Sequence, residues 1–589
     1  MRLRPTGLIL VLLLAVTVVA LAAGGTRAPA AQPVKESVAV GTGGAVSSVD
    51  ADATQAGIQV LREGGNAVDA AVAANAVLGV TEPFVAGIGG GGFMVVYLAH
   101  EHRVITIDGR ETAPQSFPED AFIDPATGQP IPFFPQRVTS GMAVGVPGTL
   151  ATWARAASEF GTMPLGRLLQ PAIAVAEHGF TVDDTFAGQV ASNLTRLDAF
   201  TSSRSLFLTP DGKPPAVGST FRNPDLARTY RTIAHDGPEA LYDGPIGAAL
   251  VDTVRHPPVA ADSQLGFAVQ PGVMTTDDLA HYTAPLRPPT HVTYRGDDVY
   301  GMGPPSSGGS TIAEALNILE GFDLNAVDKA TRAHLVVEAM RRAHRDRAVY
   351  LGDPDFVDVP VERLIHPFYA AGQRASIRMD KATPSNMLPG VDAPAPGPST
   401  THFSVIDAKG NMVAATITLN FFFGSGLMVP GTGILLNNQM DDFSVKPGVP
   451  NGFQLIGADA NAIAPKKRPL SSSTPTFVEG PDGLMIIGSP GGSYIPGMVI
   501  LGTLDFMDGK NAQQIVAAPR FHYQFSPDVL QFESDAFTPE ERKALEARGH
   551  TLREGTRKWG NEQVVTWNYK TGKVEAASDP RGAGVGLVY

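Results

Sequence analysis

The chain runs to 589 residues without a single cysteine. That absence removes disulfides, thiolate metal ligands and a cysteine nucleophile together, so its chemistry must use oxygen or nitrogen. Basic charge is in short supply as well: 45 Lys and Arg stand against 58 Asp and Glu, a net charge of −13. No phosphate-neutralising face is evident, which argues against nucleic acid as a partner. No serine occupies a G-x-S-x-G elbow, no H-E-x-x-H occurs, and the 13 histidines show no ligand spacing. A metal site is therefore not expected. Hydrophobic residues at 43% and charged residues at 17% describe a globular chain with a large core.

Long apolar runs are rare, and the clearest one sits at the start. Arg2 and Arg4 precede Leu8 to Ala23 (LILVLLLAVTVVALAA), and Ala20-Leu21-Ala22 and Ala28-Pro29-Ala30 both offer small-x-small cleavage sites. Residues 1–30 read as a targeting segment, either a cleaved signal peptide or a retained anchor. In both cases the body is exported, to the periplasm, the cell surface or the outside. With no cysteine after the apolar run, a lipoprotein is excluded.

Beyond the leader, residues 51–80 predict two helices broken at Gly64-Gly65, the second Ala/Val-rich nearly all round and therefore buried. Residues 87–99 and 104–110 read as two strands, the first entered through glycines and the second ending at Arg110. From 140 to 350 the pattern is mostly helical, with a strand pair at 290–302. Within 330–351, Leu335, Val336, Ala339, Met340 and Ala343 form one stripe of an amphipathic helix. Residues 381–399 carry five prolines and should be extended and exposed. Strands dominate thereafter. In 411–420, Val413, Ala415, Ile417 and Leu419 mark a core face, and the opposite face turns Thr418 and Asn420 toward something polar.

Gly87-Ile88-Gly89-Gly90-Gly91-Gly92 satisfies G-x-G-x-x-G, but a helix precedes it and a strand follows. A dinucleotide site needs the reverse order, so close backbone packing is the better reading.

Thr400 opens a strand immediately after the proline-rich stretch. Read alone, Thr400-Thr401 is a β-branched strand start. A threonine hydroxyl becomes a useful nucleophile when the residue is N-terminal, because its own α-amine, with a pKa of about 7.7–8.0, then serves as base. That chemistry requires cleavage between Ser399 and Thr400. Other segments supply matching parts. Ser489-Pro490-Gly491-Gly492-Ser493 follows a strand and can aim backbone N–H groups at one point. Arg110 suits a carboxylate. Residues 437–442 and Ser471-Ser472-Ser473 carry amides, carboxylates and hydroxyls for a zwitterion.

From about residue 37 onward the chain resembles the gamma-glutamyltransferase (glutathione hydrolase) family of N-terminal-nucleophile hydrolases. The resemblance rests on GGNAVDAAVAA, GGGGFM, DGRETAP, EAMRRAHRDRAVYLGDPDF, TTHFSV, GILLNNQMDDFS, KRPLSSSTPT, GSPGGS and SDPR, in that order. It implies an α+β fold, a four-layer αββα sandwich built jointly by a large subunit, 31–399, and a small one, 400–589. By the same resemblance Thr400 is nucleophile and base, Thr418 supports it, and Gly491 and Gly492 form the oxyanion hole. Arg110, Ser471 and Ser472 would hold the α-carboxylate of a γ-glutamyl group, and Asn420, Gln439 and Asp442 its amino end. The implied substrates are glutathione and related γ-glutamyl compounds, with water, an amino acid or a dipeptide as acceptor, and no cofactor. Phe453 stands where many bacterial members carry a tyrosine that bonds the asparagine matching Asn420, which favours hydrolysis over transfer. Asp108-Gly109 lacks an aromatic often found before the arginine. Cephalosporin and glutaryl acylases of the same fold, and an exported binding protein that never matures, are the alternatives.

Overall fold

The structure is a computed structural model that describes residues 37–388, 400–446, 455 and 457–589. The leader, residues 389–399 of the proline-rich stretch, Ser399 and Phe453 lie outside the described residues.

Two helices form where the sequence places them. Ala51–Arg62 starts at Asp50, whose side chain accepts from the Ala53 N–H, and stops before Gly64 at φ 93°. Ala67–Thr81 opens with a capping box between Asn66 and Asp69, and all of its residues are buried. A helix without a polar face can only lie inside.

Two seven-stranded sheets make the body. One runs, in spatial order, Val38–Gly41, Val574–Ser578, Gln563–Asn568, Gly483–Gly488, Thr476–Gly480, Asp297–Gly301 and Thr290–Tyr294. The other runs Val585–Val588, Ala45–Ser48, Thr401–Ile406, Met412–Thr418, Gly91–Leu98, Arg103–Gly109 and Leu286–Arg287. Period-two alternation sorts their side chains into separate cores. Ala414 and Ile486 meet Phe93, Phe477 and Val565 between the sheets. Val413, Ala415 and Ile417 face outward to the Ala67–Thr81 helix. Met485 and Ile487 face the helices Gly308–Leu319, Lys329–Tyr350 and Ile495–Met507. Helices therefore cover both outer faces, giving the four-layer αββα sandwich.

Thr418 and Asn420 do turn toward a polar cavity, while Ala414 and Thr416 on the same face are buried under the second sheet. Two expectations need correction. The helix Lys329–Tyr350 is not an amphipathic surface helix with one apolar stripe. Glu338, Arg341, Arg342, His344, Asp346 and Arg347 are all buried with it, each bonded or paired inside the protein. The start of the proline-rich stretch is only partly exposed. Ala382 and Ser385 are buried, and the Ser385 N–H donates to Asp528 Oδ2 at 2.7 Å.

The inverted glycine run does what close packing demands. A Cβ on Gly90 would lie 2.2 Å from the Thr418 carbonyl oxygen, and one on Gly89 would lie 2.1 Å from that of Leu435. Glycine alone lets these backbones approach.

Candidate functional site

Strand register brings the two threonines together. Thr401 is the Cα partner of Ile417 in the antiparallel pair, so the next step along the ladder sets Thr400 opposite Thr418. Thr400 Oγ1 donates to Thr418 Oγ1 at 3.4 Å, and Thr418 Oγ1 also accepts from the Asn420 N–H at 2.8 Å. Thr400 has φ 139°. For a β-branched residue that conformation costs about 1–3 kcal/mol.

The loops at the ends of these strands close the site around Thr400. Arg110 follows the strand Arg103–Gly109 and is buried, with Nε donating to the Pro469 carbonyl at 2.9 Å and Nη2 to that of Leu470 at 3.2 Å. Its Nη2 also donates to Asp442 Oδ2 at 2.5 Å, and Gln439 Nε2 donates to the same oxygen at 2.8 Å. Burial raises the Asp442 pKa, with Arg110 opposing. The Asn420 side chain donates to the Asn438 carbonyl at 3.0 Å. The residues assigned to the two ends of a zwitterion are thus contiguous, joined by the Arg110–Asp442 pair.

Burial dominates the neighbouring carboxyls. Glu111 is pushed up to about 8 although Arg110 works against the shift, and neither of its oxygens has a hydrogen-bond partner among the described residues. Asp441 is pushed up to about 7, with Arg137 Nε at 3.8 Å and Asn438 Nδ2 donating to it at 2.8 Å.

On the far wall, Ser471 Oγ accepts from the Ser473 N–H at 3.1 Å, and the Ser471 carbonyl accepts from the Ser307 N–H and hydroxyl at 2.8 and 2.7 Å. The glycine pair follows the strand Gly483–Gly488. Gly491 and Gly492 take φ 147° and 57°, regions where other residues are strained, and lead into the helix Ile495–Met507. The N-terminal end of that helix, its positive end, lies on the cavity wall at Ile495.

Thr400, Thr418, Asn420, Arg110, Gln439, Asp442, Ser471, Ser472 and Gly492 all line one cavity. Gly491 lies one residue behind that wall. The cavity also includes Ser473, from the serine run, and Arg347, Leu455, Leu470 and Ile495, which the sequence did not point to as site residues. Arg347 was detectable in principle, as a cation one helical turn past His344 and Ala343 on a helix whose apolar residues mark the core. Among the described residues no group of three or more His, Cys, Asp or Glu is placed to hold a metal ion.

Three comparisons bear on this constellation. The family model described as Gamma-glutamyltranspeptidase matches residues 53–589. The chain is 42% identical over 547 residues to a protein of Escherichia coli (strain K12) named Glutathione hydrolase proenzyme, covering 91% of this chain and 90% of that one. It is 39% identical over 503 residues to a protein of the same name from Pseudomonas sp. (strain A14), covering 84% of each. Among solved structures, cephalosporin acylase from Bacillus halodurans superposes with a TM-score of 0.80 at 29% identity, covering 95% of this chain and 98% of that one.

Proposed function

We infer the reaction from one premise: the chain belongs to the gamma-glutamyltranspeptidase family. It is a self-cleaving enzyme of the glutathione hydrolase type, a proenzyme cut into two subunits that acts on γ-glutamyl compounds. The finer steps are our reading of the site.

Maturation begins when the Thr400 hydroxyl adds to the Ser399 carbonyl carbon. The C–N bond breaks, a proton passes to the freed nitrogen, and water hydrolyses the resulting ester. Thr400 is left with a free hydroxyl and an α-amine, and Ser399 with a carboxylate. In catalysis the amine takes the hydroxyl proton as Oγ1 attacks the γ-glutamyl amide. Backbone N–H groups of Gly491 and Gly492 receive the oxyanion, and the Thr418 hydroxyl steadies the nucleophile. The amine leaves with the proton, as cysteinylglycine does from glutathione. Water, an amino acid or a dipeptide then takes the glutamyl group from its Thr400 ester. Asn420, Gln439 and Asp442 meet the substrate ammonium, and Arg110, Ser471 and Ser472 its carboxylate. No cofactor takes part in this scheme, and the enzyme works after export.

The observation that carries this reading is the convergence of Thr400, Thr418, Gly492, Arg110 and Asp442 on one cavity from strands and loops far apart in sequence. Cleavage of a γ-glutamyl anilide by the mature protein tests it. Comparable rates with and without an acceptor dipeptide are expected, since hydrolysis is taken to prevail; strong acceptor stimulation contradicts that preference. The acylase reading is favoured by the superposition on a cephalosporin acylase. Asp442 argues the other way, because its Oδ1, left without a hydrogen-bond partner among the described residues while Oδ2 pairs with Arg110, is free to accept from an ammonium that a glutaryl group lacks. A glutaryl anilide turned over faster than the γ-glutamyl one would reverse this choice.

A further inference from the structure

Arg347 lies near the C-terminal end of the helix Lys329–Tyr350, buried, with its guanidinium on the wall shared with Thr400. Its hydrogen-bond partners are neutral: Nε donates to Ser307 Oγ at 3.0 Å and Nη2 to Ser472 Oγ at 3.2 Å. Among the described residues no carboxylate oxygen comes within ion-pair distance of it. Arg110, by contrast, is already paired with Asp442 at 2.5 Å. Burial pushes Arg347 down to about 10, with Asp442 holding it up from further away and Arg110 pushing it lower. It remains charged at neutral pH. A buried cation without a counter-ion is costly, and a wall that carries one is suited to an anion.

The hydrogen bonds give this cation a direction. Ser472 Oγ accepts from Arg347, which leaves the Ser472 hydroxyl hydrogen to be donated elsewhere, toward an acceptor in the cavity. Ser307 Oγ accepts from Arg347 and donates to the Ser471 carbonyl, so the same guanidinium pins the serine loop at two points. An arginine that turns neighbouring hydroxyls into donors selects for carboxylates, and its charge adds to theirs.

The geometry points to Arg347 as a second, specificity-determining guanidinium for the free carboxylate of the acyl donor, acting with Ser472 while Arg110 stays shared with Asp442. The class of ligand is an acyl chain ending in a carboxylate, γ-glutamyl or glutaryl alike. The inference rests on the reading above that this cavity takes the acyl part of the donor.

The test uses the mature enzyme, with glutarate as a binding probe and two anilide donors. One donor is γ-glutamyl; the other is 4-aminobutanoyl, the same chain without the α-carboxylate. Arg347→Met is expected to weaken glutarate binding about ten- to hundred-fold and to raise KM for the γ-glutamyl donor by a similar factor. Its kcat should stay within about three-fold, and the 4-aminobutanoyl donor should be turned over as by wild type. Arg347→Lys should recover part of the loss, and Ser307→Ala, which cuts one pin and keeps the charge, should change glutarate binding by less than about three-fold. Equal losses on both donors would reduce Arg347 to a structural pin and overturn the proposal, as would unchanged glutarate binding. If Arg347→Met fails to mature, Arg347→Lys decides: a loss of about three- to ten-fold in glutarate affinity is expected, and no loss overturns the proposal. A wild-type enzyme that binds glutarate through Arg347 yet leaves γ-glutamyl anilide intact would defeat the proposed function and keep this inference. A wild type that binds no glutarate defeats this inference whatever its activity.

Discussion

Two buried ionic clusters in this molecule are built from the same residue types and end in opposite states. In one, Arg520 meets Glu562 and Asp579 at 2.8 and 2.6 Å, and Arg581 meets Glu533 at 2.6 Å and Asp579 at 3.1 Å. The remaining acceptor capacity is taken up by backbone: Glu533 receives the Arg520 and Trp559 N–H groups, and Asp579 those of Glu562 and Arg581. The other cluster surrounds Thr400. There Asp442 Oδ1 and Gln439 Oε1, of residues on the cavity wall, have no hydrogen-bond partner among the described residues, and Arg347 has no carboxylate beside it. A closed network spends its polar groups on the fold. An open one keeps them for a ligand. Sequence motifs do not separate the two: SDPR belongs to the family resemblance as fully as TTHFSV does, yet its Asp579 and Arg581 serve the scaffold.

The sharpest way to break this contrast is to cut each cluster once. Arg520→Met leaves Glu562 buried without its cation and Asp579 with Arg581 alone, and is expected to cost about 3–5 kcal/mol of stability. Thermal unfolding should show it, while kcat per folded molecule stays near wild type. A stable, inactive Arg520→Met protein would move that cluster into the site. Asp442→Asn should do the reverse, lowering kcat/KM for a γ-glutamyl donor about ten- to hundred-fold through loss of a charged hydrogen bond. Steady-state kinetics with γ-glutamyl anilide reads this directly, and an unchanged kcat/KM would mean that Asp442 is scaffold.

A pH titration sharpens the same division. His402 and His344 are held down to about 3 and His522 to about 4, each by burial first. These histidines are neutral in the fold, whereas the unfolded chain takes up protons near its ordinary value of 6.5. Their contribution is therefore complete above about 6.5 and is lost as pH falls toward the folded values, by about 1.4 kcal/mol per unit for each histidine. The buried acids Glu111 and Asp441, raised to about 8 and 7, gain stability over the same fall in pH, so the histidine share is read as the difference between wild type and His402→Asn in denaturant unfolding at pH 7 and pH 5.5; a difference that does not change with pH would contradict it. The smallest effect expected is that of Thr418→Val, which removes the hydroxyl beside Thr400 and the acceptor of the Asn420 N–H. A loss of about 1 kcal/mol, roughly five-fold in kcat with little change in KM, should follow.

Much of the scaffold was legible because it is local. Asn66 with Asp69, the Gly64-Gly65 break and the all-apolar run to Thr81 define two helices without any partner. Period-two alternation in 411–420 turned Thr418 and Asn420 toward the site, although it did not reveal that the other sheet buries Ala414 and Thr416. The order of glycines and strand at 87–98 excluded a dinucleotide turn, and the contacts of Gly89 and Gly90 give the reason for the run. The helix Lys329–Tyr350 departs from its single apolar stripe because a helical wheel does not show that Arg341 and Arg347 will be buried beside residues over 100 positions away. Site roles came from the family resemblance. What it left out, the burial of Arg347 without an anion and the direct pairing of Arg110 with Asp442, depends on tertiary contacts that no local pattern encodes.

The central claim is that Thr400 becomes a chain terminus by its own chemistry. Intact mass and N-terminal sequencing of the purified protein, beside Thr400→Ala, test it most directly. Two chains from the wild type, one beginning TTHFSV, and a single uncut chain from the variant are predicted. An uncut wild type, or a variant cleaved as readily as wild type, would contradict the claim and return Thr400 to the role of an ordinary first residue of a strand.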